Sequence, residues 1–263
     1  MPIGPADIDA AARVVAPFAV RTPLLSFPVL NERVGTKVFL KPEMLQRTGS
    51  FKFRGAFNKL ASIPQEKRSG GVVAFSSGNH AQGVAAAAKI LNMKATIVMP
   101  ADAPLSKRER TKAYGAEVVL YDRGREDREA IANGIAGKRG ATLVRPYDDP
   151  FVIAGQGTVG LEIAEDMAAL GLTPDIVVAP ASGGGLIAGV ATAVKALGGG
   201  KTLIVDAKTN GMLVRGAKNL ASSQWLAPEG LNVYDILRHE ALIISRASVE
   251  QVQTALKPGK ATE

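Results

Sequence analysis

One lysine in this chain stands where its amine could act as a nucleophile. Lys52 lies within Ser50-Phe51-Lys52-Phe53-Arg54-Gly55-Ala56, after the turn-forming Thr48-Gly49-Ser50, and Phe53, Ala56, Phe57 and Leu60 then recur at helical spacing. Ser50 is expected to cap that helix, which puts Lys52 in its first turn. There the helix dipole disfavours an ammonium ion, and Phe51 and Phe53 would keep water away. A neutral amine able to condense with a carbonyl becomes accessible. A lysine on the wet face of an amphipathic helix is the plainer alternative, and the local residues by themselves favour it.

Two further segments supply what such an amine would need. Ser182-Gly183-Gly184-Gly185 comes after an apolar run at 176–179 and before a helical pattern at 186–197. Three successive glycines remove the side chains that would hold a phosphate away from the backbone N–H groups, although a flexible strand-to-helix turn would use the same residues. No Lys-Ser or Lys-Thr follows, so a nucleoside-triphosphate loop is not supported. Ser76-Ser77-Gly78-Asn79-His80 likewise joins an apolar run at 72–75 to a helical pattern from Ala81. Its hydroxyls, amide and N–H groups suit a carboxylate at the carboxyl end of a parallel strand, while an ordinary tight turn needs Ser, Gly and Asn too. An imine-forming lysine paired with a phosphate-binding turn reads as a pyridoxal phosphate site.

A competing motif lies between these segments. Gly155-Gln156-Gly157-Thr158-Val159-Gly160 has the dinucleotide spacing GxGxxG, yet residues 148–154 separate it from the strand pattern at 142–145. That motif has force only directly after a strand. A nicotinamide-dependent oxidoreductase is therefore the weaker reading.

The elements that must position these residues alternate along the chain. Apolar, partly Val/Ile-rich runs at 37–41, 71–75, 95–99, 117–121, 142–145, 175–179 and 202–206 predict strands of a parallel sheet. Helical patterns at 81–91, 158–170 and 186–197 lie between them, which makes the chain α/β. Its 263 residues, 46% hydrophobic and 21% charged, can bury a core large enough for two small domains. There are no cysteines, so disulfides and thiol chemistry are excluded. Neither a signal peptide nor a membrane span is found, and a cytoplasmic protein is expected. The net charge of +8 could draw nucleic acid, but the basic residues alternate with acidic ones, as in Arg123, Arg125 and Arg128 among Asp122, Glu126, Asp127 and Glu129. A solvated basic surface is expected, without nucleic acid as partner.

Arg21-Thr22-Pro23-Leu24, Lys41-Pro42-Glu43, the run from Gln46 to Ala56, the run from Ser76 to Gln82, Ile153-Ala154-Gly155-Gln156-Gly157-Thr158 and the 182–185 turn keep their order over about residues 7–195. In this the chain resembles the threonine/serine dehydratase and serine racemase group of fold-type II pyridoxal phosphate enzymes. The resemblance implies a tryptophan synthase β-like fold. A larger cofactor domain would comprise 1–45 with 145–263, and a smaller α/β domain 46–144 would be inserted in it. It implies Lys52 as Schiff-base lysine and acid/base at the substrate α-carbon, Phe51 near the cofactor ring, and Asn79 on the ring oxygen. Ser182, Gly183, Gly184, Gly185 and the Leu186 amide would hold the phosphate, and Ser76, Asn79 and His80 the substrate carboxylate.

The implied activity is dehydration and deamination of threonine or serine to a 2-oxo acid and ammonia. Serine racemase and 3-hydroxyaspartate ammonia-lyase are the alternatives, for which Ser77 speaks as a second acid/base, and a truncated inactive homologue is the third. In related racemases an arginine matching Arg128 contacts an acidic ligand, whereas its local surroundings read as an exposed helix. A homodimer or homotetramer is implied. Compared with the group the chain looks shortened at its C-terminus, with a strand pattern at 241–245 and a capping box at Ser248-Val249-Glu250-Gln251 before it stops. Ala207-Lys208 stands where many relatives have Glu-Pro, and no metal is expected.

Overall fold

In the computed structural model, residues 3–180, 182–196, 202–205, 223–226 and 241–244 are described. In chain order the elements are α1 (Pro5–Val15), β1 (Leu25–Ser26), α2 (Pro28–Val34), β2 (Phe39–Leu40), α3 (Lys52–Ala61), β3 (Val72–Phe75), α4 (Asn79–Ile90), β4 (Ala95–Pro100), α5 (Leu105–Ala113), β5 (Glu117–Tyr121), α6 (Arg128–Arg139), β6 (Thr142–Leu143), α7 (Pro150–Ala169), α8 (Gly185–Ala196), β7 (Thr202–Val205), β8 (Ser223–Leu226) and β9 (Ala241–Ile244).

Strands β3 to β6 form one parallel sheet in the order β5-β4-β3-β6. Its two central strands are buried along their whole length, which is why they carry no polar alternation. Successive side chains still go to opposite faces. Val72, Ala74, Ile97 and Met99 join a core with Phe53, Phe57 and Leu60 of α3 and the alanines of α4, whereas Val73, Phe75, Val98 and Tyr121 pack with Ala132 and Ala136 of α6. Strands β7, β8 and β9 form a second parallel sheet in the order β8-β7-β9.

Glycines let three helices approach one another. A Cβ on Gly155 of α7 would lie 2.6 Å from the Gly55 Cα, and one on Gly189 of α8 would lie 2.5 Å from the Gly157 nitrogen. The GxGxxG spacing is thus a packing seam inside α7, not a loop around a dinucleotide. The capping signal is Asp149-Pro150: the Asp149 carboxylate accepts from the N–H groups of Phe151 and Val152 at 2.9 and 3.2 Å, and Pro150 takes the first helical position.

The same seam carries a buried ionic network. Arg54 of α3, 1% exposed, donates to Glu43 at 2.8 and 2.9 Å and to Glu162 of α7 at 2.6 and 3.0 Å. The Lys41 ammonium adds contacts to Glu162 at 2.8 Å and Asp166 at 3.0 Å.

Several expectations need correction. The helix read at 158–170 begins eight residues earlier at Pro150, because its apolar side is replaced by glycines that the periodicity does not count. Ser50 does not cap α3: its hydroxyl is buried without a partner, and the helix is entered through Phe51. The run 37–41 gives only β2, antiparallel to β1. The run 142–145 pairs only as Thr142–Leu143. Residues 175–179 form no strand; their side chains alternate, with Ile176 and Val178 60% and 70% exposed, but no described strand lies alongside to complete a ladder. The capping box at 248–251 and Ala207-Lys208 lie outside the described residues.

Candidate active site

Lys52 opens α3 and its Nζ donates a 2.8 Å hydrogen bond to the Pro146 carbonyl. Burial pushes the amine down to about 8, as a group short of water must move toward its neutral form. Its nitrogen lies 5.4 Å from the centre of the Phe51 ring. Phe51 in turn packs against the apolar cluster that contains Leu186 and Ile187 of α8, so the lysine turn and the helix after the glycine turn share one core.

The loop after β3 meets Lys52 from another side. A Cβ on Gly83 of α4 would lie 3.1 Å from the Lys52 carbonyl, so α4 starts against the lysine backbone. Ser76 and Ser77 are partly buried and Asn79 is exposed at the first residue of α4. The Ser76 hydroxyl accepts from the Gly78 N–H at 3.2 Å, and the first intrahelical bond into this turn is donated by Gln82. The N–H groups of Asn79, His80 and Ala81 therefore point forward without intrahelical acceptors.

His80 is placed differently from its neighbours. The ring is 3% exposed and its Nε2 sits 3.2 Å from the Val144 carbonyl, which can only accept, so the proton is on Nε2. Burial first, and the Lys52 charge second, push it down to about 4. The imidazole is neutral and turned inward, with Nδ1 buried and unpartnered. What His80 can offer a carboxylate is its backbone N–H.

The third component is the turn before α8. Gly184 has φ of 86°, a conformation that glycine adopts without penalty. The amides around Gly185 and Leu186 form a helix N-terminus, with Ala188 donating the first described bond back to Gly184 at 3.0 Å. Such an end favours an anion through both its free N–H groups and its dipole.

Arg128 is exposed and stacks at 5.4 Å over Phe75, the residue that leads into Ser76. Sequence reasoning passed over Val144, Pro146 and Tyr147, although a signal was present. They follow the 142–145 run at a strand's carboxyl end, where ligands gather in open α/β sheets.

These features fit a phosphate-bearing aldehyde: a desolvated amine, bare backbone N–H groups at a helix start, and a polar turn beside them. Among proteins of known family, the chain matches the profile described as pyridoxal-phosphate dependent enzyme over residues 15–252. An L-threo-3-hydroxyaspartate ammonia-lyase from Pseudomonas sp. is 51% identical over 191 residues, 73% of this chain and 59% of that protein. The L-threonine dehydratase catabolic TdcB of Staphylococcus aureus strain USA300 is 49% identical across 72% of this chain and 54% of its own length. Among solved structures, maize serine racemase superposes with a TM-score of 0.71 at 41% identity, covering 75% of this chain and 59% of that one. A threonine deaminase from T.th. gives 0.73 at 34% identity, covering 92% and 97%. The chain thus spans under two thirds of the curated relatives' length. No helix of the described residues is long and apolar enough to cross a membrane.

Proposed function

Because the chain belongs to the pyridoxal-phosphate dependent enzyme family, we propose that it is an ammonia-lyase that dehydrates and deaminates threonine or serine. The observation that carries this reading is the Lys52 amine, lowered to about 8, with the neighbouring Phe51 packed against the apolar cluster of α8. When bound, the cofactor makes an α-proton acidic by drawing the electron pair into its ring. All other work falls to the chain.

Lys52 would hold the cofactor aldehyde and then remove the proton at the substrate α-carbon; an amine titrating near 8 serves both roles at neutral pH. Ser182, Gly183, Gly184, Gly185 and Leu186 would bind the phosphate at the α8 N-terminus, and Phe51 would exclude water beside it. Asn79 would hold the ring oxygen. Ser76, Asn79 and the His80 backbone N–H would orient the carboxylate. After the α-proton is lost the β-hydroxyl would leave with a proton as water, and the resulting enamine would tautomerise to an imine whose hydrolysis yields a 2-oxo acid and ammonia. In this reading Lys52 belongs to the smaller domain, 46–144, and the phosphate turn to the larger one, 1–45 with 145–263.

A second reading rests on the 51% identity to a 3-hydroxyaspartate ammonia-lyase and on Ser77 in the carboxylate loop. It differs only in the β-substituent or, with Ser77 as a second acid/base, in racemisation. Incubation with pyridoxal phosphate and each of threonine, serine and 3-hydroxyaspartate, with 2-oxo acid and D-amino acid measured, tests both. A cofactor-loaded protein producing no 2-oxo acid from any of them would refute the lyase reading.

A further inference from the structure

Three glycines in a row suggest a turn kept bare for a phosphate, yet two of them face something else. A Cβ on Gly183 would lie 2.2 Å from Cδ1 and 2.3 Å from Cγ of Tyr147, so the phenol ring occupies the place of a side chain. A Cβ on Gly185 would lie 3.0 Å from the Tyr147 carbonyl oxygen and 3.2 Å from its Cα. Only Gly184, with φ of 86°, is required by its own backbone.

Tyr147 ends a short strap with other attachments. The Val144 carbonyl accepts from His80 at 3.2 Å, and the Pro146 carbonyl accepts from Lys52 at 2.8 Å. Residues 144–147 thus touch the starts of α3 and α4 and the turn before α8. Arg145 meanwhile pairs outward with Glu129 at 2.7 Å.

We propose that Tyr147 is a positioning residue that seats the 182–185 turn, so that the strap sets the separation between the Lys52 amine and the phosphate-binding N–H groups. The proposal rests on the pyridoxal phosphate reading. It goes beyond that reading by assigning glycine at 183 and 185 to Tyr147 and not to the phosphate. The phenol body supplies contact, not chemistry, so phenylalanine serves equally.

The test uses the apoprotein of the full 263-residue chain and two probes that differ only in a phosphate, pyridoxal phosphate and pyridoxal. Uptake is read by the visible absorbance of the lysine adduct and by isothermal titration. The preference for the phosphorylated probe reports the turn, and pyridoxal uptake reports the amine. Tyr147→Ala should lower the preference about tenfold with pyridoxal uptake within about twofold, and Tyr147→Phe should keep both. Gly183→Ala should also lose about tenfold, and adding Tyr147→Ala should raise the preference severalfold above Gly183→Ala alone, because the methyl enters the space the ring has left.

Additive losses would overturn the proposal, since the phosphate would then be what demands glycine at 183. An unchanged preference in Tyr147→Ala would overturn it too. Should circular dichroism show Gly183→Ala unfolded, the Ala and Phe variants of Tyr147 decide by themselves. A parent protein that takes up neither probe at Lys52 refutes the proposed function and this inference together. A parent that takes up pyridoxal phosphate, with preference unaltered in Tyr147→Ala, refutes the inference alone.

Discussion

Desolvation lowers the Lys52 amine to about 8, and this has a measurable consequence in pH. An amine near 8 is mostly protonated at pH 7 and mostly free at pH 9, where an ordinary lysine remains charged. Adduct formation with pyridoxal phosphate should rise about tenfold per unit below pH 8 and level off above it. Borohydride trapping and peptide mapping should find the label on Lys52; a different lysine, or a rate still climbing toward pH 10, would contradict the assignment. Ser77 carries a separate expectation. The helix behind it is entered at Gly78 without any side-chain cap, so Ser77 is free of that structural duty. Ser77→Ala should leave stability within about 0.5 kcal/mol. If Ser77 is the acid/base on the face opposite Lys52, that variant should lose interconversion of L- and D-serine while keeping most of the elimination from one enantiomer. Equal loss of both reactions would leave Ser77 without that role.

The helices α3, α7 and α8 are brought together by glycines, α3 and α7 are also tied by Arg54, and each device predicts a different response. Gly155→Ala sets a methyl against backbone atoms of Gly55 and Arg54 at 2.6 and 2.7 Å, with no flexible side chain to yield. It should destabilise by about 2 kcal/mol or more. Gly134→Ala in α6 meets nothing within 4 Å and should stabilise by about 1 kcal/mol. Thermal unfolding of the pair checks both signs. Arg54→Met would leave the partly buried Glu43 and Glu162 without their bidentate partner, a loss of about 3 kcal/mol in urea titration. Loss of under about 1 kcal/mol would mean that Lys41 compensates.

Over the whole molecule, acid stability should report His80. The unfolded chain takes up a proton near 6.5 and the native state only near 4, so native stability should fall as pH drops through that interval. His80→Gln should flatten the dependence by up to about 3 kcal/mol at its low end, measured by denaturant unfolding at each pH; an unaltered profile would show that the ring is not held neutral. The α/β class and the strands Glu117–Tyr121 and Val72–Phe75 were legible in linear order, because apolar runs and turn residues are local signals. So was the placing of three loops, since Lys52 opens α3, Ser76 and Ser77 follow β3, and the glycines precede α8, as the turn residues indicate. The true start of α7 and the meaning of its glycines were not, since a missing Cβ is explained only by what approaches it, here Gly55 and Gly189. Nor could the run 175–179 announce that no described strand pairs with it, as a ladder needs two strands. Which way His80 faces, and that Pro146 meets Lys52 and Tyr147 meets Gly183, depended on residues dozens of positions apart coming within 3.2 Å, a matter of packing that no local pattern encodes.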